Sequence, residues 1–140
     1  MKKFLSIVAA LAVCANFAFA KNEVKKFSIS KALNDPAVKS VLDPSVKLSF
    51  GKKGGGKKIT GLISSNKKAN KVGKSEEEAC FRAFASAMIS FQERAKREGG
   101  NKAVNLSSYY YKHEFVSNKE FECGIGNIMV GVTFRGYIAK

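Results

Sequence analysis

Ser75-Glu76-Glu77-Glu78 opens a stretch that reads as a long amphipathic helix, and the rest of the chain must be arranged around it. The Ser75 hydroxyl is placed to accept a first-turn N–H, Glu78 to reach back, and three acids sit at the positive end of the helix dipole. Cys80, Phe84, Ala87, Met88, Phe91 and Ala95 recur at spacings of three and four and form one apolar stripe. Arg82, Gln92, Glu93, Lys96 and Arg97 lie mostly off it, and Gly99-Gly100 stops the helix. Such a stripe must be covered, and the flanking segments read as strands.

Residues 103–111 alternate, with Val104, Leu106 and Tyr110 on one face and Asn105, Ser107, Tyr109 and Tyr111 on the other. A polar stretch, residues 112–122, is expected to turn the chain. Ile128, Val130, Val132 and Phe134 then form a core-facing row, with Gly131, Thr133, Arg135 and Tyr137 facing away. Residues 46–50 and 58–66 read as two more strands joined by a glycine hairpin. Asp35-Pro36 is an N-cap with proline in the first turn of a short helix ending near Leu42. The expected fold is α+β in a single domain: one long helix packed on a mainly antiparallel sheet of three to five strands. Residues 45–140 form this domain and residues 21–44 an N-terminal arm with the short helix. The sheet face away from the helix, bearing Tyr109, Tyr111, Arg135 and Tyr137, is the expected interaction face, partly covered by residues 22–44.

The first twenty residues read as an export signal. Lys2 and Lys3 precede an apolar run over residues 4–13, and Ala18-Phe19-Ala20 places small residues at the −3 and −1 positions, so cleavage is expected after Ala20. The run is too short to span a bilayer, and Val13 is too large for a lipid-attachment box at Cys14. Processing leaves Cys80 and Cys123, and two cysteines in an exported, periplasmic chain suggest one disulfide. A thiol redox pair and soft metal ligands are the competing readings; neither cysteine lies in a C-x-x-C pair, and the one histidine, His113, is ten residues from Cys123.

Charge is divided unevenly. Residues 21–74 hold fourteen lysines against Glu23, Asp35 and Asp43, a net of +11, whereas residues 75–140 are nearly balanced. Lys52, Lys53, Lys57, Lys58, Lys67, Lys68, Lys71 and Lys74 follow one another without an acid. Such a run is either a solvated surface or a footprint for an anionic envelope component such as a lipid head group, a glycan or free nucleic acid. Lysines without arginines suit diffuse attraction better than bidentate phosphate recognition, so no specific nucleic-acid recognition is expected. Residues 51–58 nearly match a phosphate-binding loop, but Lys58 stands where a hydroxyl must hold magnesium, and a strand-like alternation follows in place of a helix.

No catalytic, metal or cofactor motif emerges. His113 and Glu114 are adjacent and would point to opposite strand faces, while Glu120 and Glu122 read as polar turn residues. The chain is therefore expected not to be an enzyme.

Ser75-Glu76-Glu77-Glu78-Ala79-Cys80-Phe81-Arg82-Ala83-Phe84, Gln92-Glu93-Arg94-Ala95-Lys96, Gly99-Gly100-Asn101-Lys102-Ala103-Val104-Asn105, Glu122-Cys123 and Gly131-Val132 together resemble a family of small exported bacterial proteins of unknown function. Some members carry an excinuclease ATPase label that the export signal and defective phosphate loop contradict. More remotely, residues 75–137 are similar to the YbjQ and RcsF superfamily of small α/β domains. That resemblance implies an envelope sensor acting by protein contact and a bridge from a helix cysteine to one near the last strands, which Cys80 and Cys123 match. The second cysteine pair and lipid anchor of the RcsF branch are absent, as is a ligand cluster for the heavy metals some YbjQ relatives bind.

The expected function is that of a small periplasmic binding protein, an envelope sensor or accessory, whose partner is an envelope protein. The alternative is a polyanion-binding protein acting through residues 51–74, with peripheral membrane contact.

Overall fold

The computed structural model describes residues 22–140; the expected export signal, its cleavage site and Cys14 lie outside the described residues. In chain order the elements are β1 (Glu23–Ser28), α1 (Ile29–Asn34), α2 (Pro36–Lys39), β2 (Lys47–Phe50), β3 (Ile63–Asn70), α3 (Glu76–Glu98), β4 (Lys102–Tyr110), β5 (His113–Phe115), β6 (Glu120–Ile125) and β7 (Met129–Ala139).

Helix α3 starts and stops where its sequence predicts, although the Glu78 carboxylate pairs with Arg82 instead of reaching back to the N-cap. Ser75 Oγ accepts the Glu78 N–H at 3.0 Å, and Gly99 closes the helix at φ 75°, a left-handed cap that glycine adopts without Cβ strain. Its stripe is the core: Phe84 is fully buried, its ring 4.8 Å from Phe121, 5.6 Å from Phe134 and 5.9 Å from Phe50. One side chain thus ties the helix to β6, β7 and β2, and burying a phenylalanine contributes about 1.5–3 kcal/mol. Cys80 and Cys123 are joined, with their Cα atoms 6.1 Å apart, so a covalent link repeats the contact between α3 and β6.

β7 organises the sheet. Along one edge it pairs with β3, from Asn70↔Met129 to Ile63↔Gly136. Its other edge is shared: β6 takes Val130 and Gly131, and β4 takes Phe134 onward. At the fork between them, Ser108 Oγ accepts the Glu122 N–H at 2.9 Å, replacing a missing ladder bond. β1 lies outside β6, β2 lies on β4, and β5 folds back on the end of β4.

The α+β class and the single long helix agree with expectation, while the sheet is larger and more mixed. Among the described residues seven strands replace three to five, and β2 runs parallel to β4. The extra strands come partly from residues 112–122, expected as a turn, where β5 and the start of β6 lie. The expected glycine hairpin is instead a crossover. β2 and β3 are separated by β4 and β7, and residues 51–62 pass over the strand ends, exchanging backbone bonds between Lys57 and Lys140. Glycine is required because a Cβ on Gly54 would stand 2.4 Å from Val104 Cβ.

A bulge at Asn105, φ 54°, shifts the β4 register between Val104 and Ser107. Val104 pairs with Tyr137 and lies on the helix-free face, where the crossover buries it, whereas Leu106 stays in the core. The covering expected from residues 22–44 is also corrected. β1 extends the sheet, and Ile29, Ala32 and Val38 join the core beside α3, so residues 51–62 cover part of the far face instead.

Candidate functional site

Across the helix-free face, Val24, Gly124, Gly131 and Lys68 stand side by side on β1, β6, β7 and β3. The two glycines leave a trough, and Tyr110 lies in it, its ring against Gly124. Burial, and then the neighbouring Tyr111, push the Tyr110 phenol above its ordinary value.

The chain then makes a tight turn whose central residues, Tyr111 at φ 49° and Lys112 at φ 63°, are both left-handed. Hairpins usually put Asn-Gly there, and each such residue with a Cβ costs on the order of 1 kcal/mol. In this turn Tyr111 stands in solvent, 79% exposed, edge-on to Tyr110 at 4.6 Å. Pairing of Tyr110 with His113 and of Tyr109 with Glu114 holds the turn in place.

Beside it, the Arg135 guanidinium lies 3.8 Å above the Tyr109 ring and is paired with the Glu114 carboxylate. Glu114 is the main reason the arginine binds its proton more tightly than usual. Lys58 covers Tyr137 at 4.1 Å. The stacked Tyr109 and Arg135 separate two open grooves. The larger, about 780 Å³, is lined by Tyr109, Tyr110, Tyr111, Asn66, Lys68, Lys112, Met129 and Thr133 among others, and among the described residues no acid lines it. The smaller, about 440 Å³, holds Lys52, Lys58, Asn105, Ser107, Arg135 and Tyr137 among others.

Tyr109, Tyr111, Arg135 and Tyr137 therefore share one face. The lysine run is dispersed: Lys52 and Lys58 border the smaller groove and Lys68 the larger, while Lys67 pairs with Val132 on the helix side. Lys71 sits 3.7 Å from Glu76, and Lys53, Lys57 and Lys74 lie on the crossover and the turn before α3. His113 is exposed on β5, and Glu114 is engaged by Arg135. Glu120 and Glu122 belong to β6, not to a turn, and Glu122 is buried with Oε1 lacking a hydrogen-bond partner among the described residues. Among the described residues no three His, Cys, Asp or Glu side chains group to hold a metal ion.

Two residues were hidden in the sequence, one at this face and one in the packing of α3. Tyr110 reads as a core residue by alternation, and only its contact with Gly124 reveals its place in the trough. Gln92 reads as a solvent-facing helix residue but is buried: its Oε1 accepts the Asp43 N–H at 2.9 Å, and its Nε2 donates to the carbonyls of Asp43 and Val46. A glutamine flanked by a stripe of phenylalanine and alanine was the available signal.

Comparison with protein-family models, curated proteins and solved structures finds no match to this chain.

Proposed function

We propose that this chain is an exported, non-enzymatic binding protein of the cell envelope that recognises another protein through the helix-free face of its sheet. The observation that carries the reading is the strained turn that keeps Tyr111 exposed beside Tyr109 and Tyr110. Local strain maintained by surrounding pairing is a mark of functional sites, and tyrosines supply contact area at low entropic cost. The bonded Cys80 and Cys123 favour an oxidising compartment, in keeping with the signal-like N-terminus and the resemblance to small exported proteins.

A second reading, binding of a polyanion through residues 51–74, draws on the exposed Lys52, Lys53 and Lys57. Dispersal of the remaining lysines over both faces favours diffuse attraction over a single cradle.

Affinity capture from envelope extract with oxidised residues 21–140, run at low and high salt, separates the two. Partners retained at high salt by the parent, and lost by Tyr109→Ala with Tyr111→Ala, are expected. Capture only at low salt, unaffected by the tyrosine changes, would replace the first reading with the second.

A further inference from the structure

Two turns meet at one end of the sheet. The Lys71 N–H donates to the Ile128 carbonyl at 2.8 Å, Asn70 pairs with Met129, and the Gly126 N–H donates to the Met129 carbonyl. At their tips Val72 is 66% and Ile128 60% exposed; Met129 is 42% exposed and shares the larger groove with Tyr111. Single exposed apolar residues are ordinary, but four large ones at one end of a small protein form a patch that calls for an explanation.

The surroundings of this patch are cationic. Lys68 and Lys112 line the groove beside Met129, and Lys74 closes the Val72 turn through its N–H to the Lys71 carbonyl. Two acids stand at this end of the sheet, and both face lysines: Glu76 faces Lys25 and Lys71, and Glu23, opposite Ile125, faces Lys25. Aliphatic tips ringed by lysines, with a tyrosine at the margin, match a bilayer whose head groups are anionic and whose interior takes apolar side chains. Nucleic acid would use the lysines but has no place for exposed valine and isoleucine. Among the described residues no helix is long and apolar enough to cross a membrane.

We propose that this end of the molecule docks on an anionic lipid surface, with Val72 and Ile128 entering the interface and Lys68, Lys74 and Lys112 facing the head-group phosphates. The contact leaves Tyr109, Arg135 and Tyr137 available to a protein partner; it shares Tyr111 at the margin with that surface and Lys68 and Lys74 with the polyanion reading, but rests on neither, since Val72 and Ile128 carry it.

The chain has no tryptophan, so Ile128→Trp supplies a single reporter. It is made in residues 21–140, which contain the whole described fold, and mixed with phosphatidylcholine vesicles with or without phosphatidylglycerol. A blue shift with the anionic vesicles only is expected, with none for Leu62→Trp on the crossover. In co-sedimentation, Val72→Asp with Ile128→Asp should weaken binding about tenfold or more, and Tyr109→Ala should change it less than about twofold. Both aspartates sit on exposed turns, and an intact disulfide and unchanged circular dichroism confirm folding. Absence of the shift at position 128, or vesicle binding that survives both aspartates and yields only to salt, would overturn the proposal.

Discussion

The phenol oxygen of Tyr110 lies 1.9 Å from where a Cβ on Gly124 would stand. The absence of that one carbon lets the ring lie on the sheet and brace the strained turn that follows. Gly124→Ala should therefore displace Tyr110, cost about 1–3 kcal/mol by overpacking and weaken partner capture. Gly131→Ala is the control, since its Cβ would meet the same ring at an ordinary 3.6 Å. Urea unfolding of the two variants should show the larger loss at position 124.

Gln92 anchors the segment before β2 to the helix through three hydrogen bonds to backbone groups. Gln92→Leu keeps the volume but strands those groups, for an expected loss of about 2–3 kcal/mol. Amide exchange should show the Asp43 N–H losing protection.

Asp43 is held well below the usual carboxylate range, first by Lys96 and then by the hydroxyl and N–H of Ser45. A carboxylate depressed in the folded state stabilises the fold above its unfolded value of about 3.9. That contribution fades as pH falls from there toward the folded value. The stability difference between the parent and Asp43→Asn should be largest near neutrality and shrink below about pH 4. A constant difference from pH 7 to pH 2 would contradict this.

The Cys80–Cys123 bridge closes a separation of 43 residues. By loop-closure entropy its removal costs on the order of 4 kcal/mol. Cys80→Ala with Cys123→Ala should lower the urea midpoint accordingly, and reductant should shift the parent, but not the variant.

The long helix, the row Val130, Val132 and Phe134 and the cysteine pair were legible because each rests on local pattern: an N-cap and apolar stripe, alternation, a residue count; Ile128, expected in the same row, is instead exposed on the turn before β7. Strand order was not legible, since nothing near Val46 or Leu48 says that β2 will lie parallel to β4, with β3 and α3 between them in the chain. Asn105 defeated the alternation of β4 by adding one left-handed residue, a conformation asparagine tolerates better than most. The glycine run reads as a hairpin between neighbouring strands, whereas Gly54 is needed for close approach to Val104. At the candidate site the four expected face residues were found together, because Arg135 and Tyr137 share the parity of one strand. Tyr110, Glu114 and Gly124 completed it only through contacts across strands.

The most direct test of the helix-free face as a recognition surface is site-specific photo-crosslinking in envelope extract. A photoreactive residue is placed at Tyr111 and, for comparison, at Glu93 on the exposed side of α3. A defined protein adduct from position 111, competed by unmodified protein and not by the Tyr109→Ala, Tyr111→Ala variant, is the result predicted. Equal adducts from both positions, or none from 111, would contradict it.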